Sequence, residues 1–157
     1  MIRIRKAENK DIPAIMGMLL QVLNIHAAIR PDIFIPDTTK YTVEELEEII
    51  ADPQRPVFIA ADNDDNAVGY AFCAFRKRAH ENNMTDILTL YIDDLCVDQN
   101  LRGQKIGNQL YEHVIAFAKE NGCYHVTLNV WEGNDAARAF YEKEGFKVLF
   151  TTMEKIL

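Results

Sequence analysis

With 157 residues, 48% of them apolar and 26% charged, the chain has the size and composition of one globular domain that buries a core without disulfides or metal. Its net charge of −7 argues against a nucleic-acid binder that works by neutralising phosphates over a broad face, and it suits a cationic partner. Cys73, Cys96 and Cys123 are odd in number and never form CxxC, and MIRIRKAENKD at the N-terminus has no leader-like apolar run, so reduced thiols, a cytoplasmic setting and no membrane contact are expected.

In chain order, Ile2 to Arg5 alternate as a short half-buried strand. Asp11 and Pro13 open a helix whose Ile15, Met18, Leu19, Val22 and Leu23 share one face. The stretch from Arg30 to Asp37 is a Pro-bracketed loop carrying Phe34 and Ile35. Thr42 and Glu45 have capping-box spacing and start an acidic helix to about Ala51. Strands follow at Val57–Ala61 and Ala67–Lys77, joined by a polar turn as a hairpin, then a polar connection at Ala79–Thr85 and a strand at Ile87–Val97. A helix from about Gly103 to Glu120 presents Ile106, Leu110, Val114 and Phe117 to one side and meets Gly122 as its stop. A strand at Val126–Val130, a helix from Asn134 to Glu144 and a last strand from Phe146 to about Met153 complete the chain. No repeat or linker divides it, so residues 1–157 read as one domain. Its class is α+β: a mostly antiparallel, mixed sheet flanked by helices, with one parallel pair across a crossover helix.

The strand ending at Val97, the basic turn Arg102-Gly103-Gln104-Lys105 and the helix that follows form a unit with a physical purpose. Free backbone N–H groups, a helix N-terminus and cationic side chains converge there, as a phosphate group requires.

Three features together resemble the GCN5-related N-acetyltransferase (GNAT) family. Arg102-Gly103-Gln104-Lys105-Ile106-Gly107, after Leu95-Cys96-Val97-Asp98, resembles the family's acetyl-CoA signature. Asn134 to Tyr141, ending in Glu144-Gly145-Phe146, is similar to its Asn, Ala, Phe-Tyr, Gly-Phe segment. The order of strands and helices resembles the family over nearly the whole chain. The signature expects Gly where Lys105 stands; a right-handed helical backbone there would accommodate Lys and add a charge for phosphate.

The resemblance implies a GNAT fold and an acetyl-CoA-dependent N-acetyltransferase that needs no metal. It implies that the pantetheine arm pairs with the backbone of Leu95, Cys96 and Val97, whose N–H groups also polarise the thioester oxygen. The pyrophosphate then lies over Arg102, Gly103, Gln104, Lys105, Ile106, Gly107 and Asn108, and Asn134 bonds the arm as well as capping its helix. Tyr141 matches the family's general acid, the alternative being a core tyrosine.

Asp93 and Asp94 stand where the acetyl group would arrive. A regular strand sends neighbours to opposite faces, so one of them, Asp93 by preference, is expected in the cleft as base and amine holder, against a solvated or bulge-forming role. Polyamine acetyltransferases of the family resemble this chain in carrying paired acids here, which favours a small cationic amine as acceptor. A protein N-terminus, a peptide lysine, an aminoglycoside or an amino acid stay open, as does a non-catalytic acyl-CoA sensor. The family's first helices and their loop wall the acceptor site, making His26, Phe34 and Tyr41 candidates for substrate contact; Trp131 lines the cleft or packs the strand end. His26, His80, His113 and His125 lack metal-ligand spacing. The family also allows a homodimer, on which these residues are silent.

Overall fold

The computed structural model describes residues 1–77 and 82–157; the expected connection at Ala79–Thr85 and His80 lie partly or wholly outside them. The elements are β1 (Arg3–Lys6), α1 (Ile12–Ile29), α2 (Val43–Ala51), β2 (Val57–Ala61), β3 (Ala67–Lys77), β4 (Leu88–Val97), α3 (Ile106–Glu120), β5 (His125–Leu128) and α4 (Asp135–Lys143). Among the described residues the strands form one sheet in sequence order, antiparallel from β1 to β4 and parallel between β4 and β5. The fold is the expected α+β arrangement.

All five β2 residues are buried because the sheet is covered on both faces. On one face Ile59, Tyr70, Phe72 and Cys96 pack with Ile15 and Leu19 of α1 and Leu46 of α2. On the other, Phe58, Ala71 and Leu90 meet Ile106, Leu110 and Val114, one stripe of α3 at helical spacing. The stretch Asn9–Ile29 is long and apolar enough by length and composition to cross a membrane, yet Ile15, Met18 and Leu19 of α1 pack on the sheet. Thr42 and Glu45 exchange the capping-box hydrogen bonds, both at 3.2 Å, and fix the start of α2.

Arg5 ties β1 to the first helix and the β2–β3 turn. Its guanidinium grips Asp11 bidentately at 2.8 and 2.9 Å and donates from Nε to Asp65 at 2.9 Å. Asp11 is 3% exposed, a charged residue buried at the core. Burial alone pushes its carboxyl up, but Arg5 and the Glu8 N–H outweigh it and hold it below the ordinary range. Asp11→Ala, which removes the bidentate partner of half-buried Arg5 and leaves it Asp65 alone, is expected to cost about 2 kcal/mol in chemical denaturation. Because the folded carboxyl titrates below the unfolded one, this stabilisation is present above the ordinary Asp pKa and is lost as pH falls below it.

Two expectations fail at element ends. The helix α3 starts at Ile106, since Gly103 has φ 87° and Lys105 φ 60°. Residues 146–153 form no strand; they follow α4 as an extended segment without a sheet partner. Their alternation is strand-like, but alternation does not supply a neighbour to pair with.

Candidate active site

The register between β3 and β4 slips at one residue. Phe72 pairs with Asp94 and Cys73 with Ile92, which leaves Asp93 as the extra residue of a bulge. A bulge breaks the alternation of side chains, so both acids reach the same face of the sheet. Asp94, opposite Phe72, accepts a 2.6 Å hydrogen bond from the Tyr70 hydroxyl. Asp93 accepts one from Tyr41 at 2.5 Å and carries the Lys40 ammonium at 2.8 Å. Tyr41 and Tyr70 both pack on Phe72, with ring centroids 5.7 and 4.9 Å away. The expectation that only one aspartate enters the cleft is therefore corrected.

The two acids have different surroundings. Burial pushes the Asp94 carboxyl up to about 6; the Tyr70 hydrogen bond and the Lys40 charge counter it only in part. Asp94 nevertheless keeps a solvent-facing edge. Asp93 has its oxygens committed to Tyr41 and Lys40. Of the pair, Asp94 has the environment of a proton acceptor near neutral pH, which reverses the preference drawn from the residues alone.

Beyond the acids, β4 has an open edge. Its pairing with β5 ends at Ile92 opposite Leu128, whereas β3 stays paired as far as Val97. An antiparallel neighbour bonds only alternate residues of a strand, so the 93–97 stretch keeps backbone groups free on the β5 side. An extended ligand can pair there as an added strand. Val97 leads through Asp98, whose side chain caps the following turn by accepting from the Asn100 N–H, to exposed Arg102, Gly103, Gln104 and Lys105. The N-terminus of α3 opens directly behind them, at buried Ile106 and then Gly107 and Asn108. Free strand edge, basic turn and helix N-terminus thus succeed one another along one line.

Tyr141 enters from the far side on α4. Burial raises its phenol well above the ordinary value, and the charge of Asp94 pushes it further, so it stays a protonated donor at neutral pH. Its ring packs against Phe140 and Phe146. Asn134 caps α4 by accepting the Ala137 N–H at 3.4 Å. Asn108 donates to Glu144 at 2.8 Å and so ties α3 to the end of α4.

Residues 20–146 match the model of the acetyltransferase (GNAT) family. The chain belongs to this family. It is 34% identical over 106 residues to a peptidyl-lysine N-acetyltransferase, YjaB, of Salmonella typhimurium, which covers 66% of this chain and 60% of that protein. The match thus spans about 60% of the curated relative's length. Among solved structures, a mutant of the BH1408 protein of Bacillus halodurans superposes with a TM-score of 0.94 at 28% identity, over 99% of each chain. An aminoglycoside acetyltransferase from a soil metagenome shares the fold, with a TM-score of 0.69 at 20% identity over 99% of this chain and 96% of that one.

Within this GNAT chain, Lys105 keeps the backbone that suits the Gly of the family signature. It has φ 60° and ψ 20°, the left-handed conformation that costs Lys more than Gly, so the right-handed backbone that would accommodate Lys is absent. Lys105→Gly is therefore expected to stabilise the ligand-free protein by about 1 kcal/mol, read as a higher denaturation midpoint.

The candidate acceptor wall assembles as well. His26 stacks on Phe34 at 5.2 Å between centroids, and Phe34 meets Trp131 edge-on at 5.0 Å. The loop after α1 thereby reaches the end of β5, while Tyr41 stands on the acids. Burial pushes the His26 imidazole down, and the Lys40 charge lowers it further, so it is neutral at physiological pH. Cys96 is buried and its thiol is pushed up to about 12 by burial and by Asp94, which makes it a packing residue rather than a nucleophile. Lys40 and Tyr70 are the participants that reading the residues missed. Tyr70 sits inside an apolar strand, and nothing in the sequence places Lys40 across from residue 93.

Proposed function

We propose that this chain transfers an acetyl group from acetyl-CoA to a primary amine by direct attack. The observation that carries the proposal is the bulge, which sets two carboxylates beside an open strand edge that leads to a basic helix N-terminus. Leu95, Cys96 and Val97 would pair with the pantetheine arm and polarise the thioester carbonyl through their N–H groups. Arg102 to Asn108 would hold the pyrophosphate, with Asn134 bonding the arm. Asp93 would hold the incoming ammonium in place of Lys40, Asp94 would take its proton, and Tyr141 would return a proton to the departing thiolate. The amine nitrogen forms the new bond to the carbonyl carbon as the carbon–sulfur bond breaks, and the sulfur leaves protonated as free CoA.

The acceptor we propose is a cationic alkylamine. A polyamine suits the acid pair and the net charge of −7. A lysine side chain is the second reading, favoured by Lys40, whose own ammonium sits on Asp93 as an acceptor lysine would. A relative named for peptidyl-lysine acetylation supports the same reading. Release of free thiol from acetyl-CoA over a panel of polyamines, lysine peptides, aminoglycosides and amino acids tests both. The polyamine reading expects the highest kcat/KM with a polyamine, and the lysine reading with a lysine peptide. Binding of acetyl-CoA with no amine-dependent thiol release would make the chain a sensor instead.

A further inference from the structure

Lys40 is held where an amine has to stand for the proposed transfer. Among the described residues it is the one cationic side chain paired with either acid of the bulge. Its Nζ donates to one oxygen of Asp93 at 2.8 Å, while the Tyr41 hydroxyl donates to the other at 2.5 Å. The two donors are neighbours in a short stretch that is fixed on both sides. Thr38 donates to the Ile35 carbonyl at 2.6 Å, Thr39 donates to the Tyr41 carbonyl at 2.9 Å, and Thr42 opens α2 with its capping box. The Tyr41 ring also packs on Phe72. The Lys40 backbone is therefore well placed, whereas its four-carbon stem keeps its freedom.

Stability gives no reason for a lysine here. Its side chain is 46% exposed against 20% for Asp93, and an ion pair that open to water adds little. The chemistry of the place gives one. The Lys40 charge also reaches Asp94, whose carboxyl it draws down against the burial that raises it. One ammonium is thus within electrostatic reach of both acids, the one that would hold an amine and the one that would take its proton. The strand edge open to the thioester arm begins at these same residues, where the pairing of β4 with β5 has ended at Ile92. Lys40 therefore meets the groups that an incoming amine would meet, within its own chain.

We propose that Lys40 is itself an acceptor: with acetyl-CoA bound and no external amine present, the chain acetylates its own Lys40. Self-acetylation rests on the proposed transfer and adds to it a substrate within the chain. The Lys40 ammonium gives a proton to Asp94, and the freed nitrogen forms its bond to the thioester carbonyl carbon. The carbon–sulfur bond breaks, and the sulfur leaves as CoA with a proton from Tyr141. The second proton shed by the nitrogen balances the one that Tyr141 gives up. The product is an uncharged amide on Lys40, so each chain takes one acetyl group by this route and stops. Intact-mass spectrometry of the unaltered protein with acetyl-CoA alone, followed by peptide mapping, tests this. One added acetyl group per chain is expected, located on Lys40 and formed at a rate that does not change as the protein is diluted. Asp94→Asn is expected to slow it by about 10²-fold or more, and Lys40→Arg, which keeps a cation for Asp93, to show no mass gain. Thiol release with an external amine by a chain whose Lys40 stays unlabelled would overturn self-acetylation and leave the transfer reading standing. No label and no thiol release with any amine would overturn both. Label spread equally over exposed Lys6 and Lys119, a rate that falls on dilution, or a mass gain that persists in Lys40→Arg would also overturn it, marking reaction in solution or between chains.

Discussion

Asp94→Asn is expected to lower kcat by about 10²- to 10⁴-fold, the range for losing a general base, and yet to leave a more stable protein. Both effects come from the same burial. The folded carboxyl titrates at about 6, whereas an unfolded Asp titrates near about 3.9. Between those values the folded state binds the extra proton, so Asp94 contributes least as a charge and the protein loses stability as pH rises through that window. The neutral amide keeps an acceptor for the Tyr70 hydroxyl and has no charge to desolvate. Because Asp94 retains some solvent contact, the gain above pH 6 is set at roughly 1 kcal/mol. In the unaltered protein kcat/KM is expected to fall tenfold per pH unit on the acid side of about 6, and the variant to lose that limb. Unchanged turnover with an unchanged pH profile would remove Asp94 from the mechanism.

Tyr141→Phe is expected to lower kcat by about 10²-fold while changing the KM for acetyl-CoA little. The phenol is held protonated by burial and by the charge of Asp94, so it can donate a proton but not accept one. Phe keeps the contacts with Phe140 and Phe146, so a structural role alone would leave kcat intact. Steady-state kinetics separate the two. A further sign is alkaline behaviour: no descending limb belonging to Tyr141 is expected near pH 10, the value of an unshifted tyrosine.

Much of this fold is legible in the residues because its elements are set by local rules. The Thr42–Glu45 box and the Ile106–Leu110–Val114 stripe place helices, and the β2–β3 hairpin shows as two apolar runs about a polar turn. The parallel pair follows from the crossover helix between β4 and β5. What the residues conceal depends on partners far along the chain. The bulge at Asp93 is a slip of β4 against β3, and nothing in IDDL marks it. Lys40 lies 53 positions from Asp93 and meets it only after α1 and α2 have packed on the sheet. Residues 146–153 show the converse: Phe146, Val148 and Phe150 alternate as a strand does, but period two states a capacity for pairing and does not name a neighbour. Lys105 could be marked as a departure from the family pattern, but its left-handed backbone could not be known before the turn was seen.

The central claim is that the acids, the open β4 edge and the basic turn serve one acetyl transfer. Mass spectrometry of a cationic primary amine incubated with acetyl-CoA and the unaltered protein tests it most directly. The account predicts an amine heavier by one acetyl group, formed together with an equal amount of free CoA and strongly reduced with Asp94→Asn. Acetyl-CoA that binds but stays intact in the presence of polyamine, lysine peptide, aminoglycoside and amino acid alike would contradict it.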